Sequence, residues 1–177
     1  MASYKLPSIT AIPKLSTTER AAVLDALFEP SVPLHTLALE LLHNETFASY
    51  DDLVTAIGLQ LTKLAESSST SDTQWLESIL AAHPRLGAKN VESTASQDEQ
   101  KQLQGDGEEA ERLTALNDEY EQKFPGLRYV TFVNGRDRKS IMDDMQQRIS
   151  SSDLGAERIA AINSICEIAS DRAKKAS

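Results

Sequence analysis

From Leu24 to Ala169 the apolar residues of this chain recur at helical spacing, and one stretch alone, Tyr129-Val130-Thr131-Phe132-Val133, reads as β-favouring. That imbalance fixes the fold class. One isolated extended segment cannot build a sheet, so the expectation is an all-α fold, a compact single-domain multi-helix bundle over residues 1–177 with one short extended segment near 129–133. The segment closes on Asn134-Gly135, a turn pair. Buried between helices, its backbone amides need polar groups or a ligand as partners, which makes it a candidate pocket wall. An edge strand completed by a partner subunit is the other reading.

Start and stop signals divide the rest. Pro7 and Pro13 among isolated apolar residues predict an extended N-terminal arm over residues 1–15. Ser16-x-x-Glu19 has capping-box spacing and opens a helix to about Phe28, where Glu29-Pro30 ends it. Pro33 suits the first turn of a second helix, and Ser49 to Asp52 opens a third that carries Leu53, Ile57 and Leu61. Asp72 is placed to cap a fourth, on which Trp75, Leu76, Ile79 and Leu80 point inward. Ser96-x-x-Glu99 repeats the capping-box spacing, and Gly105-Asp106-Gly107 then interrupts or kinks the helix. Glu108 to Phe124 and Arg138 to Ile149 follow. In the last helix Ile159, Ile162, Cys166 and Ala169 share a face that Arg172 continues.

Charge and composition narrow the function. A net charge of −9 argues against general nucleic-acid binding, which wants a basic surface. A small molecule or a protein is the expected partner. The single Cys166 excludes an internal disulfide, and no stretch approaches the roughly 18 apolar residues of a membrane span or shows a secretory-signal layout. His35 and His43 lie eight residues apart, about 80° around a helix, which is not the face of a zinc pair, so no metal is expected. Glu108, Glu109 and Glu111 read as a solvated helix start and not as a calcium loop.

Two runs carry the chemistry. In His83-Pro84-Arg85-Leu86-Gly87 the proline stops a helix and displays His83 at its end. A histidine there either favours the helix dipole or exchanges protons near neutrality. In Ser96-Gln97-Asp98-Glu99-Gln100 a helix start either caps itself or offers its amides to an anion. Arg172, on a buried face, is either a helix-end ion pair or a carboxylate clamp.

Taken in order, His83-Pro84-x-Leu86-Gly87, Ser96-x-x-Glu99-Gln100, Leu116-Asn117-x-x-Tyr120 with Lys123-Phe124, the β-like run, and Glu167-Ile168-Ala169-x-x-Arg172 resemble 2-oxo-4-hydroxy-4-carboxy-5-ureidoimidazoline (OHCU) decarboxylase. The resemblance covers nearly the whole chain. It implies cofactor-independent loss of carbon dioxide to give (S)-allantoin in urate degradation, an all-helical fold, commonly a homodimer, and a cytoplasmic or peroxisomal location. It further implies His83 as proton donor with Glu99 beside it. The substrate contacts it implies are Pro84, the run Ser96, Gln97, Asp98, Glu99 and Gln100, the wall Tyr129, Val130, Thr131, Phe132 and Val133, and Arg172. The family arginine after the wall falls at Asn134 here, with Arg136 two places on. The rival reading is a non-catalytic, acidic, all-helical protein-interaction module. Only the enzyme needs His83, Glu99 and Arg172 in one pocket.

Overall fold

The computed structural model describes residues 4–88, 93–101, 103 and 107–177. A 3-10 helix, Ile9–Lys14, leads into α1 (Thr17–Phe28), α2 (Val32–Asn44), α3 (Tyr50–Glu66), α4 (Thr70–Leu80), α5 (Thr94–Lys101), α6 (Glu108–Lys123), α7 (Arg138–Ser151) and α8 (Leu154–Ala176). Among the described residues no strand forms, and 129–133 is in neither helix nor strand. The all-α expectation holds.

Local chemistry sets most boundaries. Ser16 and Glu19 close both bonds of the capping box at α1, at 3.2 and 2.8 Å. Ser31, Ser49, Asp137 and Asp153 accept the N3 amides of α2, α3, α7 and α8. Pro33 sits in the first turn of α2.

Several expectations are corrected. The arm is not extended throughout, because Ile9–Lys14 winds into a 3-10 helix that buries Ile12. The Leu6 amide donates to the Ala176 carbonyl, which ties the arm to the end of α8. Helix α4 starts before Asp72; its N-cap is Ser69, and Asp72 accepts the Ser67 hydroxyl at 2.6 Å. Trp75 is not an inward anchor but 39% exposed. It stands one residue off the Leu76, Ile79 and Leu80 face, and its indole N–H reaches the Pro33 carbonyl at 3.0 Å. Gly105 and Asp106 lie outside the described residues, whereas Gly107, at φ 64°, is the N-cap of α6.

Helix α8 runs through the core and packs on α1, α3 and α4, while α6 packs on α7. Its inward face is Ala161, Ile162, Ile165, Ile168, Ala169 and Arg172. Ile159 and Cys166, expected on that face, are only half-buried. Cys166 packs on Gly58 of α3, where a Cβ would stand 3.0 Å from Sγ, and burial pushes its thiol up to about 11. It is a packing residue.

Since Ile57 is fully buried and Trp75 is rim-exposed, Ile57→Ala is expected to lower unfolding free energy by about 2–5 kcal/mol. Trp75→Ala should cost clearly less despite removing the larger side chain. Urea denaturation of both variants measures the order.

Candidate functional site

A cavity of about 850 Å³ opens between the His83 turn, α5, the 129–133 segment and the C-terminal half of α8. His83, Glu99 and Arg172 all line it. So do Pro84, Ser96, Asp98 and Gln100, and the whole run from Tyr129 to Val133. Gln97 is the exception among the expected contacts: it is solvent-exposed on α5 and does not line the cavity.

His83 follows the last turn of α4 and is 3% exposed. The run around it is held from three sides. Gln100 of α5 accepts the Gly87 amide at 2.7 Å and donates to the Arg85 carbonyl at 3.0 Å. Asn117 of α6 donates to the Leu86 carbonyl at 3.1 Å, and Arg85 pairs with Glu121 and Asp118 of the same helix. Arg128 donates to the carbonyls of Ala81 and His83, at 3.0 and 3.3 Å. Gly87 is required at its place, because φ is 77° and a Cβ would fall 2.8 Å from Leu113 Cδ2.

The imidazole is neutral. Burial, and then the positive charge of Arg172, push its pKa down to about 3 against the opposing effect of a hydrogen bond to the Phe28 backbone. Nε2 has no partner. A ring that donates from Nδ1 to a carbonyl carries its lone pair on Nε2.

Arg172 forms the floor. Its Nε and Nη2 donate to the two oxygens of Glu99, both at 2.9 Å, a bidentate pair. Nη2 also reaches Glu29 Oε1 at 2.8 Å and Ser96 Oγ at 3.0 Å, and Nη1 reaches the Leu27 carbonyl at 3.4 Å. Burial opposes the charge, but Glu99 and then Glu29 outweigh it and hold Arg172 above its ordinary pKa. Of the two sequence readings, the geometry realises the ion pair, and little of the guanidinium is left for a ligand carboxylate.

The capping box expected at Ser96 does not form. Helix α5 starts two residues earlier, the Ser96 amide donates to Ser93 Oγ at 3.3 Å, and Ser96 sits inside the helix. Its hydroxyl donates to Glu29 instead. Glu29 is the residue that the sequence did not single out. It was legible as a helix stop, and the one hint of more was a carboxylate directly after the buried Leu27-Phe28 face.

The wall is braced from behind. Tyr129 donates its hydroxyl to Asp144, and Arg136 reaches Thr131 Oγ1 at 2.6 Å and the carbonyls of Phe132 and Val133. Arg136 thus holds the wall, while Asn134, at φ 45°, lines the cavity. Among the described residues the N–H groups of Val130 to Val133 have no protein acceptor. The described residues bring no three His, Cys, Asp or Glu side chains together as a metal site; His35 pairs with Asp25 at 2.5 Å.

The family model described as OHCU decarboxylase matches residues 13–174. No curated protein matches the chain by sequence. Among solved structures, a crystal structure of (S)-allantoin synthase is similar, with a TM-score of 0.63 and 19% identity. The match takes in 96% of this chain and 54% of that one, so the chain spans about half the length of its neighbour.

The His83 pKa gives a pH dependence of stability. The folded ring titrates near 3 and the unfolded ring near 6.5, so as pH falls below 6.5 the unfolded chain binds a proton that the folded chain refuses. The stabilisation is present above pH 6.5 and is lost progressively towards pH 3. Unfolding free energy is expected to fall by a few kcal/mol over that window at most, and by visibly less in His83→Gln. Denaturant titrations at stepped pH check it.

Proposed function

We propose that this chain, which belongs to the OHCU decarboxylase family, converts 2-oxo-4-hydroxy-4-carboxy-5-ureidoimidazoline to (S)-allantoin and carbon dioxide. The observation that carries the reading is a single cavity lined by a neutral, buried His83 with a bare Nε2, by Glu99 on Arg172, and by the amide-bearing wall. An interaction module has no reason to bury and align these groups.

The chemistry asks little more of the protein. When the carboxylate leaves as carbon dioxide, the C–C electron pair forms a new ring C=C bond and displaces the conjugated C=N pair onto its nitrogen, which takes up a proton, so the substrate is its own electron sink. The enol left behind becomes the ketone of allantoin by losing its hydroxyl proton, and the neighbouring ring carbon gains one. Because a carboxylate leaves as a neutral gas, one solvent proton is consumed per turnover. His83, entering neutral, takes the hydroxyl proton at Nε2 and as the imidazolium delivers a proton to one face of the carbon. The donor role implied by the resemblance is thereby the second half of a cycle. Delivery from one side gives a single enantiomer, and the cavity supplies position and exclusion of water.

The wall amides suit the substrate's carbonyl and carboxylate oxygens, since the guanidinium of Arg172 is already committed. Gln100 acts at one remove, holding the His83 turn with both ends of its amide. A homodimer and a cytoplasmic or peroxisomal location are carried by the family resemblance. No helix of the described residues is long and apolar enough to cross a membrane.

Circular dichroism of freshly generated urate-oxidation product tests the reading. Wild type is expected to give the (S)-allantoin signal quickly, and His83→Ala to lose about 10²–10⁴-fold in rate while staying folded. Wild type indistinguishable from the enzyme-free control would overturn the decarboxylase assignment.

A further inference from the structure

Glu29 stands outside the cavity lining but inside its hydrogen-bond network. It is 3% exposed and lies at the C-cap of α1 with φ 79° and ψ 150°, a backbone region that glycine occupies and other residues avoid. A glutamate kept in that conformation needs surroundings that over-determine it. Here they are two: the Ser96 hydroxyl and Arg172 Nη2, both donating to the same oxygen, Oε1.

The consequence falls on Ser96. Its only hydrogen is spent on Glu29, and one of its lone pairs receives Arg172 Nη2 at 3.0 Å. What Ser96 Oγ can still show a ligand is a lone pair. Without the Glu29 carboxylate the same hydroxyl would be free to rotate and present a donor.

Resting on the decarboxylase reading, we propose that Glu29 is a positioning residue that sets the polarity of the cavity floor, turning Ser96 into an acceptor and holding Arg172 against Glu99. The floor then offers acceptors at Ser96 Oγ, Glu99 and His83 Nε2, with Nε and Nη2 of Arg172 turned to Glu99 and Glu29, against a wall whose N–H groups have no acceptor among the described residues. This arrangement selects a ligand with a urea-like N–H and O–H edge on one side and carbonyl or carboxylate oxygens on the other. Glu29 acts through Ser96 and Arg172 and touches no reacting atom.

Three variants of the full chain test it, assayed for (S)-allantoin formation from urate-oxidation product and for (S)-allantoin binding by calorimetry. Glu29→Gly supplies the residue that the backbone favours and removes the carboxylate; it is expected to fold, as read by its circular dichroism and thermal midpoint, and to raise KM and the allantoin Kd about tenfold or more. Glu29→Gln retains an amide oxygen that can accept from both donors and should recover most of that loss. Ser96→Ala, which leaves Glu29 on Arg172, should raise KM as Glu29→Gly does, and the double variant should be no worse than Glu29→Gly. A folded Glu29→Gly with wild-type KM and Kd overturns the proposal while leaving the decarboxylase reading intact. If Glu29→Gly does not fold, Ser96→Ala decides, and wild-type KM in that variant overturns the proposal equally. An inactive wild type that binds no allantoin removes the reading on which the proposal rests.

Discussion

The buried guanidinium of Arg172 is the interaction on which the site depends. It joins the end of α1, through Leu27 and Glu29, to α5, through Ser96 and Glu99. Removing a buried charge from water is expensive, and the cost is offset only when each N–H finds an acceptor of good geometry. Breaking one partner of such a group typically costs about 3–5 kcal/mol because the other is left uncompensated. That asymmetry gives the cluster its structural authority. Helix α5, Thr-Ala-Ser-Gln-Asp-Glu-Gln-Lys, has eight residues and no large apolar side chain. It is too short to be stable alone and has almost no hydrophobic face to dock. Ser96, Glu99 and Gln100 hold it by polar contacts, so its position is fixed by the same groups that line the cavity.

The same guanidinium acts on His83. Burial first, and then its charge, push the imidazole well below its ordinary pKa, so the ring is neutral. Glu99 and Glu29 bring two carboxylates to one guanidinium, a local excess of one negative charge. Burial and the guanidinium together therefore hold the ring neutral. A histidine displayed at an open helix end would not be tuned in this way, since solvent screens neighbouring charges.

The helices were legible because each rests on local signals: a serine or aspartate cap, a proline stop and a repeating apolar face. The capping box at Ser16 formed as read, whereas the identical spacing at Ser96 did not. The difference lies outside the local sequence. At Ser16 the flanks are exposed and the side chains have only the backbone to bond, but at Ser96 a buried carboxylate and guanidinium compete for the same hydroxyl. Trp75 misled for a related reason: periodicity gives the face within about one residue, and one residue is 100°. The tie between Glu29 and Arg172 was not readable at all, because 143 residues separate them and only the packing of α8 on α1 brings them together.

That tie also explains how a strained residue survives at the end of α1. A non-glycine residue at φ 79° and ψ 150° costs on the order of 1–3 kcal/mol, a large share of the margin of a small domain. The backbone alone would choose glycine. Pro30 restricts the preceding residue to extended ψ, and the Glu29 amide still closes the last turn of α1 on the Asp25 carbonyl. Between those two restraints the side chain is delivered to the Ser96 hydroxyl and the Arg172 guanidinium. Strain in the backbone of one residue is thus balanced by the hydrogen bonds of its carboxylate. The local geometry of α1 and the polarity of a cavity built mainly from other elements are in this way a single constraint.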